Sequence, residues 1–233
     1  MPETIYSRDQ MTDDYRRMVV RLMTRQFLAE LATAEIYGHS IELAPTWREK
    51  VRQARFCREE AEHSESAARL LEELGQDVGG LLASRKSGMS FFGLSETLTE
   101  WTEVVVFNFL ADRAGTYQLE AYRDASYVPW ATTMVKILAE EEVHQAVGNQ
   151  QLERLCRDPR EAARAQQHLD TVMPIVVKRA FGRPDPEDNA FCLSHGLKSC
   201  SAAEVQGRYF AEVRGLLESC GLRFPDLRGV AAT

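Results

Sequence analysis

The chain has 233 residues, of which 44% are hydrophobic and 27% are charged, and its formal net charge is -7. This composition is ordinary for a folded globular protein and excludes wholesale disorder, and the length suffices for one sizeable core, so we expect a single domain over residues 1–233. The negative charge argues against nucleic acids and anionic membranes as partners, because both would require a basic surface.

The cysteines and the N-terminus bear on the cellular compartment. The five cysteines are odd in number and form no Cys-x-x-Cys pair, so we expect free thiols in a reducing cytosol rather than a zinc site. The acidic N-terminal segment lacks the apolar core of a signal peptide, and no apolar run is long enough to span a membrane. Together these features predict a cytoplasmic protein.

The first two helices follow from apolar periodicity and capping residues. Apolar residues recur at helical spacing over residues 13–43, which predicts a long first helix that ends before Pro45. Thr46 and Glu49 form a Thr-x-x-Glu capping box, which begins a second helix that stops at Gly75. Because the link between the two helices is short, we expect them to pack as an antiparallel pair.

A long connection separates this pair from the next. Residues 76–94 contain four glycines and lack strong periodicity, so they predict a crossover rather than a tight turn. A third helix begins near Thr97, whose partner in a second capping box is Glu100, and it runs to about Asp124. A fourth helix runs from Pro129 to about residue 156.

Two further helices are predicted at the C-terminal end. Asp158, Pro159 and Glu161 have the order of a cap, a first-position proline and a capping-box acid, which predicts a fifth helix ending near Gly182. A polar loop, RPDPEDN, precedes a sixth helix that begins with a Ser-x-x-Glu capping box and ends before residue 221. The fold class is therefore all-α: a ferritin-like four-helix bundle over about residues 13–156, with a long crossover between helices two and three, plus two C-terminal helices over about 158–221.

The second and fourth helices each contain a Glu-x-x-His motif, and an acidic residue precedes each motif by about thirty residues. The six residues are Glu30, Glu60, His63, Asp112, Glu141 and His144. Residues three apart share a helix face, and thirty residues let a chain rise along one helix and return to the same height on its antiparallel neighbour. We therefore expect the six side chains to converge inside the bundle.

These six side chains have the composition of a metal site. Four carboxylates and two imidazoles are the ligand set of a carboxylate-bridged dimetal centre in a four-helix bundle. Oxygen and imidazole donors without thiolates favour iron or manganese over zinc or copper, and four carboxylates balance the charge of two divalent ions. The motif predicts two iron ions as the cofactor, with manganese as the alternative, and chemistry on dioxygen.

Two of the six have rivals in the sequence. Glu35 would replace Glu30 if the alignment of the first helix shifted, although it lies on a different helix face. Glu103 and Glu120 are alternatives to Asp112 as the ligand on the third helix, but the apolar segment VVVFNFLAD, which ends at Asp112, favours burial of Asp112.

Other polar residues beside the motifs are given simpler roles. The flanking acids are interpreted as solvated charges, and they are Glu59, Glu62, Glu65, Glu140 and Glu142. Asn108 and Thr116 lie one turn either side of Asp112, where hydrogen bonding to that ligand and plain polar packing are equally good interpretations.

Several segments carry a resemblance to a known family. The segments are DYRRMVVRLM, APTWREKVRQARFCREEAEH, LTEWTEVVVFNFLADRAG and YVPWATTMVKILAEEEVHQ. They resemble the catalytic subunits of the bacterial phenylacetyl-CoA epoxidase family, which are ferritin-like diiron oxygenases, and the similarity continues to the terminal GLRFPD. The resemblance implies the same six metal ligands, residue by residue, including the aspartate on the third helix.

The resemblance also implies an activity and partners. We expect a diiron monooxygenase that activates O2 and inserts one oxygen atom, by epoxidation or hydroxylation, into an aromatic or unsaturated substrate such as a CoA or carrier thioester. An external electron donor, a reductase, is required because the chain has no flavin, nicotinamide or iron–sulfur motif. A homologous noncatalytic subunit or a homo-oligomer is the expected assembly.

Three alternatives remain open from the sequence. A stand-alone diiron hydroxylase or N-oxygenase of a small metabolite is favoured by the early end of the chain after GLRFPD. A ferritin-like metal-binding or storage protein would use the same bundle without oxygenation. A noncatalytic subunit is the weakest alternative, because it predicts a broken ligand set and all six positions are filled.

Overall fold

The computed structural model describes residues 3–83, 98–182 and 185–228. Within them the chain forms one 3-10 turn, eight α-helices and a single isolated β-bridge, so the predicted all-α class is confirmed. The helices are α1 (Asp13–Leu43), α2 (Trp47–Glu73), α3 (Val78–Ala83), α4 (Trp101–Glu120), α5 (Val128–Cys156), α6 (Pro159–Ala180), α7 (Pro186–Ser194) and α8 (Ala202–Ser219).

The four long helices α1, α2, α4 and α5 form the bundle. Helix α1 packs mainly against α2, whereas α4 packs against both α5 and α6; the pairs α1–α2 and α4–α5 are those predicted for a ferritin-like fold. The two pairs approach each other through α2 with α5 and α1 with α4. The crossover contains the short helix α3, and residues 84–97 of it lie outside the described residues.

Close packing inside the bundle depends on one glycine. A Cβ atom added at Gly148 on α5 would lie 3.3 Å from the Cα atom of Phe109 on α4. Since that contact is tighter than ordinary van der Waals packing, Gly148 lets the two helices approach closely. Both helices carry candidate ligands, so this approach helps to bring them together.

The predicted helix starts are only partly correct in their details. The Thr46 hydroxyl accepts a hydrogen bond from the Glu49 N–H at 3.2 Å, as a cap should. The Glu49 carboxylate, however, bonds to Arg52 at 2.6 Å and Gln151 at 2.8 Å instead of returning to the cap. Half of the predicted capping box is therefore formed, whereas the box at the start of α8 is complete.

Helix α4 differs more from its prediction. It begins at Trp101 and ends at Glu120, inside the predicted limits, and Thr97 lies outside the described residues. The Glu100 side chain makes no capping bond and instead pairs with Arg164 on α6. The predicted capping box does not begin this helix, because the helix starts at Trp101 and Glu100 is therefore the residue before it rather than its third residue.

Helix α6 begins with the predicted cap and proline but without the predicted acid. The Asp158 carboxylate accepts a hydrogen bond from the Arg160 N–H at 2.8 Å, and Pro159 opens the helix. The Glu161 carboxylate accepts a hydrogen bond from the Thr102 hydroxyl at 2.6 Å, so it ties α6 to α4 rather than completing a capping box.

Helix α7 is not predicted from the sequence. The segment predicted as a polar loop contains the start of a nine-residue helix, so the C-terminal part has three helices in the described residues rather than two. Asp185 caps it by accepting hydrogen bonds from the N–H groups of Glu187 and Asp188 at 2.8 and 3.1 Å. The helix is short, and periodicity is a weak signal over so few residues.

The apolar core lies on both sides of the polar residues of the bundle. One cluster joins α4 to α6 and α8, and the other joins α1 and α2 to α5. In the part of the chain that the structure describes, none of the helices combines the length and the apolar character needed to cross a bilayer.

Candidate metal centre

The six predicted ligands lie together between the bundle helices. Their relative exposure is between 0% and 8%, so all are buried. They come from all four helices: Glu30 from α1, Glu60 and His63 from α2, Asp112 from α4, and Glu141 and His144 from α5. Ionisable groups are rarely buried without compensation, so a cluster of six requires an explanation.

The six residues form two groups of potential donor atoms. One group contains Glu30, Glu60, His63 and Glu141, and the other contains Glu60, Asp112 and His144. Within each group the donor atoms lie within 4.8 Å of one another. Glu60 belongs to both groups, so its carboxylate could contact both cations if one were bound at each group.

Three buried atoms of the cluster lack hydrogen-bond partners. They are Nδ1 of His63, Nδ1 of His144 and Oδ1 of Asp112. The His144 nitrogen lies 3.2 Å from Glu60 Oε1, and the His63 nitrogen lies 3.5 Å from Glu141 Oε1. Leaving a buried polar atom unpaired costs roughly 1–3 kcal/mol. Because the two unpaired nitrogens face carboxylates of the same cluster, they fit the coordination of cations.

Each histidine is held by a carboxylate on the opposite helix pair. His63 Nε2 lies 2.9 Å from Glu140 Oε2, and His144 Nε2 lies 3.0 Å from Glu59 Oε2. The interpretation of Glu59 as a solvated charge was therefore wrong, since it is 2% exposed and also accepts a hydrogen bond from Arg55. A carboxylate on Nε2 fixes the ring and leaves Nδ1 free to bind a metal.

The electrostatics of the cluster show a shortage of positive charge. Burial and, next, the carboxylate of Glu141 raise the pKa of Glu60 well above its usual value. Burial also raises the pKa of Asp112 to about 7, although the nearby His144 opposes the change. Burial lowers the pKa of His63, but the carboxylates of Glu141 and Glu30 outweigh this effect and raise it to about 9. Divalent cations would supply the missing charge.

Three buried residues that were not predicted support the candidate ligands. The Tyr37 hydroxyl donates a hydrogen bond to Asp112 Oδ2 at 2.7 Å. Gln26 Nε2 donates to Glu30 Oε1 at 3.3 Å, and Gln26 Oε1 accepts from Trp130 Nε1 at 2.8 Å. Tyr37 lies seven residues after Glu30 and Gln26 lies four before it, so helix periodicity could have indicated both.

The rival acids lie outside the cluster. Glu35 is exposed on the surface of α1. Glu103 is buried, but its carboxylate accepts a hydrogen bond from the Thr99 N–H at 3.0 Å. Glu120 pairs with Arg208 at 2.8 Å. Geometry therefore favours Glu30 and Asp112 as the acids of α1 and α4.

The two polar neighbours of Asp112 do not reach its carboxylate by any observed hydrogen bond. The Thr116 hydroxyl donates to the backbone carbonyl of Asp112 at 2.9 Å. Asn108 is buried, and its Oδ1 atom has no hydrogen-bond partner. Thr116 supports the helix backbone rather than the ligand itself.

The role of Glu59 as a positioning residue can be tested by removing its charge. We expect Glu59→Gln to lower the affinity for divalent metal about 10- to 100-fold, because His144 loses the carboxylate that orients it. A competition titration with a coloured chelator measures this affinity. Glu62→Gln is the matched control, since Glu62 lies on the same helix and bonds to Arg58 and Lys136 at the surface. Equal affinity in the two variants would contradict the assigned role.

Comparison with known proteins identifies a matching family and two similar proteins. The chain matches the family described as phenylacetic acid catabolic protein over residues 1–232. It is 27% identical to one of the subunits of 1,2-phenylacetyl-CoA epoxidase from Escherichia coli (strain K12), over 95% of this chain and 73% of that protein. It is 26% identical to benzoyl-CoA oxygenase component B from Aromatoleum evansii, over 61% of this chain and 32% of that protein.

The names of both relatives are those of oxygenases, which are oxidoreductases, the enzyme class that the sequence predicts. The family match extends over almost the whole chain, and it includes every residue of the buried carboxylate and histidine cluster. The resemblance stated from the sequence segments is thus confirmed, and the chain belongs to the phenylacetic acid catabolic protein family.

Proposed function

We propose that this chain is the oxygen-activating subunit of a diiron monooxygenase that acts on an aromatic or unsaturated acyl thioester. One atom of O2 enters the substrate, and the other leaves as water after the addition of two electrons and two protons. The observation that carries the proposal is the buried cluster with three unpaired donor atoms, found in a chain whose relatives are named as oxygenases.

The residues of the cluster fit two divalent cations. Four carboxylates would neutralise four positive charges, and each of the two donor groups contributes one imidazole. The donors are oxygen and nitrogen atoms, which suit iron or manganese. We propose that Glu30, Glu60, His63, Asp112, Glu141 and His144 are the ligands.

The surrounding side chains would orient the ligands and keep water out. Glu59 and Glu140 hold the two imidazole rings, and Tyr37 fixes one oxygen of Asp112. The ligands are at most 8% exposed, so they lie in a medium of low dielectric constant where reactive species are protected from water. Two ferrous ions held there would supply reducing equivalents for the activation of O2.

The electrons must come from outside this chain. Its sequence has no flavin, nicotinamide or iron–sulfur motif, so an external reductase is part of the proposal. Both relatives are named as parts of larger enzymes, which supports a multicomponent enzyme in which this chain works with further proteins.

Metal loading and label transfer test the proposed function together. Full-length protein reconstituted with ferrous iron without oxygen should contain about two irons per chain, the number that this ligand set holds. With a reductant and labelled O2, phenylacetyl-CoA or benzoyl-CoA should gain one labelled oxygen atom. Protein that takes up no iron would contradict the metal assignment. Iron-loaded protein that labels neither thioester, alone or with its reductase and partner protein, would contradict the proposed substrate class.

A further inference from the structure

A cleft of about 120 Å³ lies between α1, α4 and α6 and reaches Glu30 at the edge of the candidate metal centre. We call it the α1–α4–α6 cleft. Its walls are mostly small and apolar, including Ala29, Ala111 and Val176, and Gln26 and Glu30 belong to its lining. Glu30 has the highest exposure of the six candidate ligands, at 8%. The cleft therefore links one ligand to solvent.

Gly115 in the wall of this cleft is not explained by the packing of the protein. It lies inside α4, where glycine costs about 1 kcal/mol relative to alanine. Its φ is not positive, so the backbone does not require glycine. An added Cβ atom would meet no atom within 4 Å, in contrast to Gly148, whose Cβ would press on Phe109. Gly115 is half-buried, and the space beside it is open to the cleft.

The cleft also has cationic side chains in its lining. Arg25 donates hydrogen bonds to the backbone carbonyls of Arg179 and Ala180 at 2.9 and 2.6 Å, which anchors α1 to the end of α6. The guanidinium of Arg179 is exposed, and it forms no ion pair within the described residues. An apolar passage with a cationic mouth suits a molecule that has an apolar head and an anionic tail.

We propose that the α1–α4–α6 cleft receives the ring of the substrate beside Glu30, and that Gly115 sets the width of the passage. Arg179 binds the anionic tail that remains outside. The cleft, at about 120 Å³, is somewhat smaller than the apolar cavity of about 150 Å³ that binds benzene in another protein, so it is of the order of size of one ring. This inference rests on the proposed function, and it adds the entry path and a residue that determines specificity.

A matched pair of glycine substitutions tests the inference. Gly207 on α8 is exposed, and a Cβ atom added there would also meet nothing within 4 Å. Gly115→Leu fills the cleft, whereas Gly207→Leu changes helix propensity alone. Calorimetric titration of full-length, iron-loaded protein without oxygen uses toluene and phenylacetyl-CoA as probes. We expect Gly115→Leu to weaken both about tenfold or more, as an overpacked site does, and Gly207→Leu to leave both unchanged.

The role of Arg179 at the mouth of the α1–α4–α6 cleft is tested by a separate substitution. Arg179→Glu should weaken phenylacetyl-CoA but not toluene, because only the thioester carries phosphates. Unchanged binding in Gly115→Leu would overturn the inference, and so would unsubstituted protein that binds neither probe. Iron content and oxygen labelling, measured on the same samples, separate this result from the proposed function. If the unsubstituted protein binds both probes but labels neither thioester, only the proposed function is contradicted. If Gly115→Leu binds both probes as well as the unsubstituted protein does and still labels the thioester, only the assignment of the cleft is contradicted.

Discussion

Replacing Glu60 by glutamine should remove both metal ions, whereas replacing Glu30 or Asp112 should weaken mainly one. Glu60 is the residue shared by the two donor groups, while Glu30 and Asp112 belong to one group each. Because a catalytic metal contributes several kcal/mol to transition-state stabilisation, oxygenation should fall by roughly 10³-fold or more in Glu60→Gln. Metal analysis after reconstitution and gel filtration gives the number of ions retained by each variant.

The Glu60 result has an internal control for folding. Burial and the carboxylate of Glu141 already disfavour the charged form of Glu60, so a neutral glutamine at this position should be tolerated, and metal-free Glu60→Gln should melt at or above the temperature of the unsubstituted protein. Its melting temperature should no longer rise when iron is added. Glu65→Gln, a substitution of an exposed acid on the same helix, should keep both ions. Retention of two ions by Glu60→Gln would show that the shared position is not the bridge.

The convergence of the six side chains could be predicted because it depends on spacing alone. The thirty residues between Glu30 and Glu60 run to the end of one helix and back along its antiparallel neighbour. The sequence alone therefore predicts that both lie at the same level of the bundle. Glu59 was misread for the opposite reason. Its contact with His144 depends on how α2 and α5 are rotated about their own axes. The position of Glu59 next to a ligand on α2 does not indicate which residue of α5 it faces.

The errors in the fold have a similar cause. The cap of α7, Asp185 followed by Pro186, repeats the signal that correctly predicted α6, but the nine-residue helix has little apolar periodicity to support it. Glu100 has the spacing of a capping-box acid and is instead paired with Arg164 on another helix. Local signals indicate where a helix can begin, and tertiary ion pairs decide which side chains are free to cap it.

The stability of the metal-free protein should decrease as the pH rises from 7 to 9. A group whose pKa is higher in the folded state than in the unfolded state stabilises the fold below its unfolded pKa, and this contribution is lost as the pH rises through the folded pKa. The pKa of His63 is raised from 6.5 to about 9, so its contribution is lost in this interval. The pKa of Asp112 is also raised, from 3.8 to about 7, so its contribution to stability likewise decreases as the pH rises, but over a lower pH range.

The expected loss from His63 is about 2–3 kcal/mol, which corresponds to a decrease of roughly 5–10 °C in melting temperature for a chain of this size. His63→Gln should flatten the dependence between pH 7 and 9. His168→Gln should retain this pH dependence, since burial lowers the pKa of His168 and it titrates below this interval.

Metal binding requires neutral imidazoles and charged carboxylates, so the stabilisation by added iron should increase over the same interval. A metal-free protein whose stability is independent of pH in this range would contradict the electrostatic description of the centre, because it would mean that the buried carboxylates are already compensated without cations.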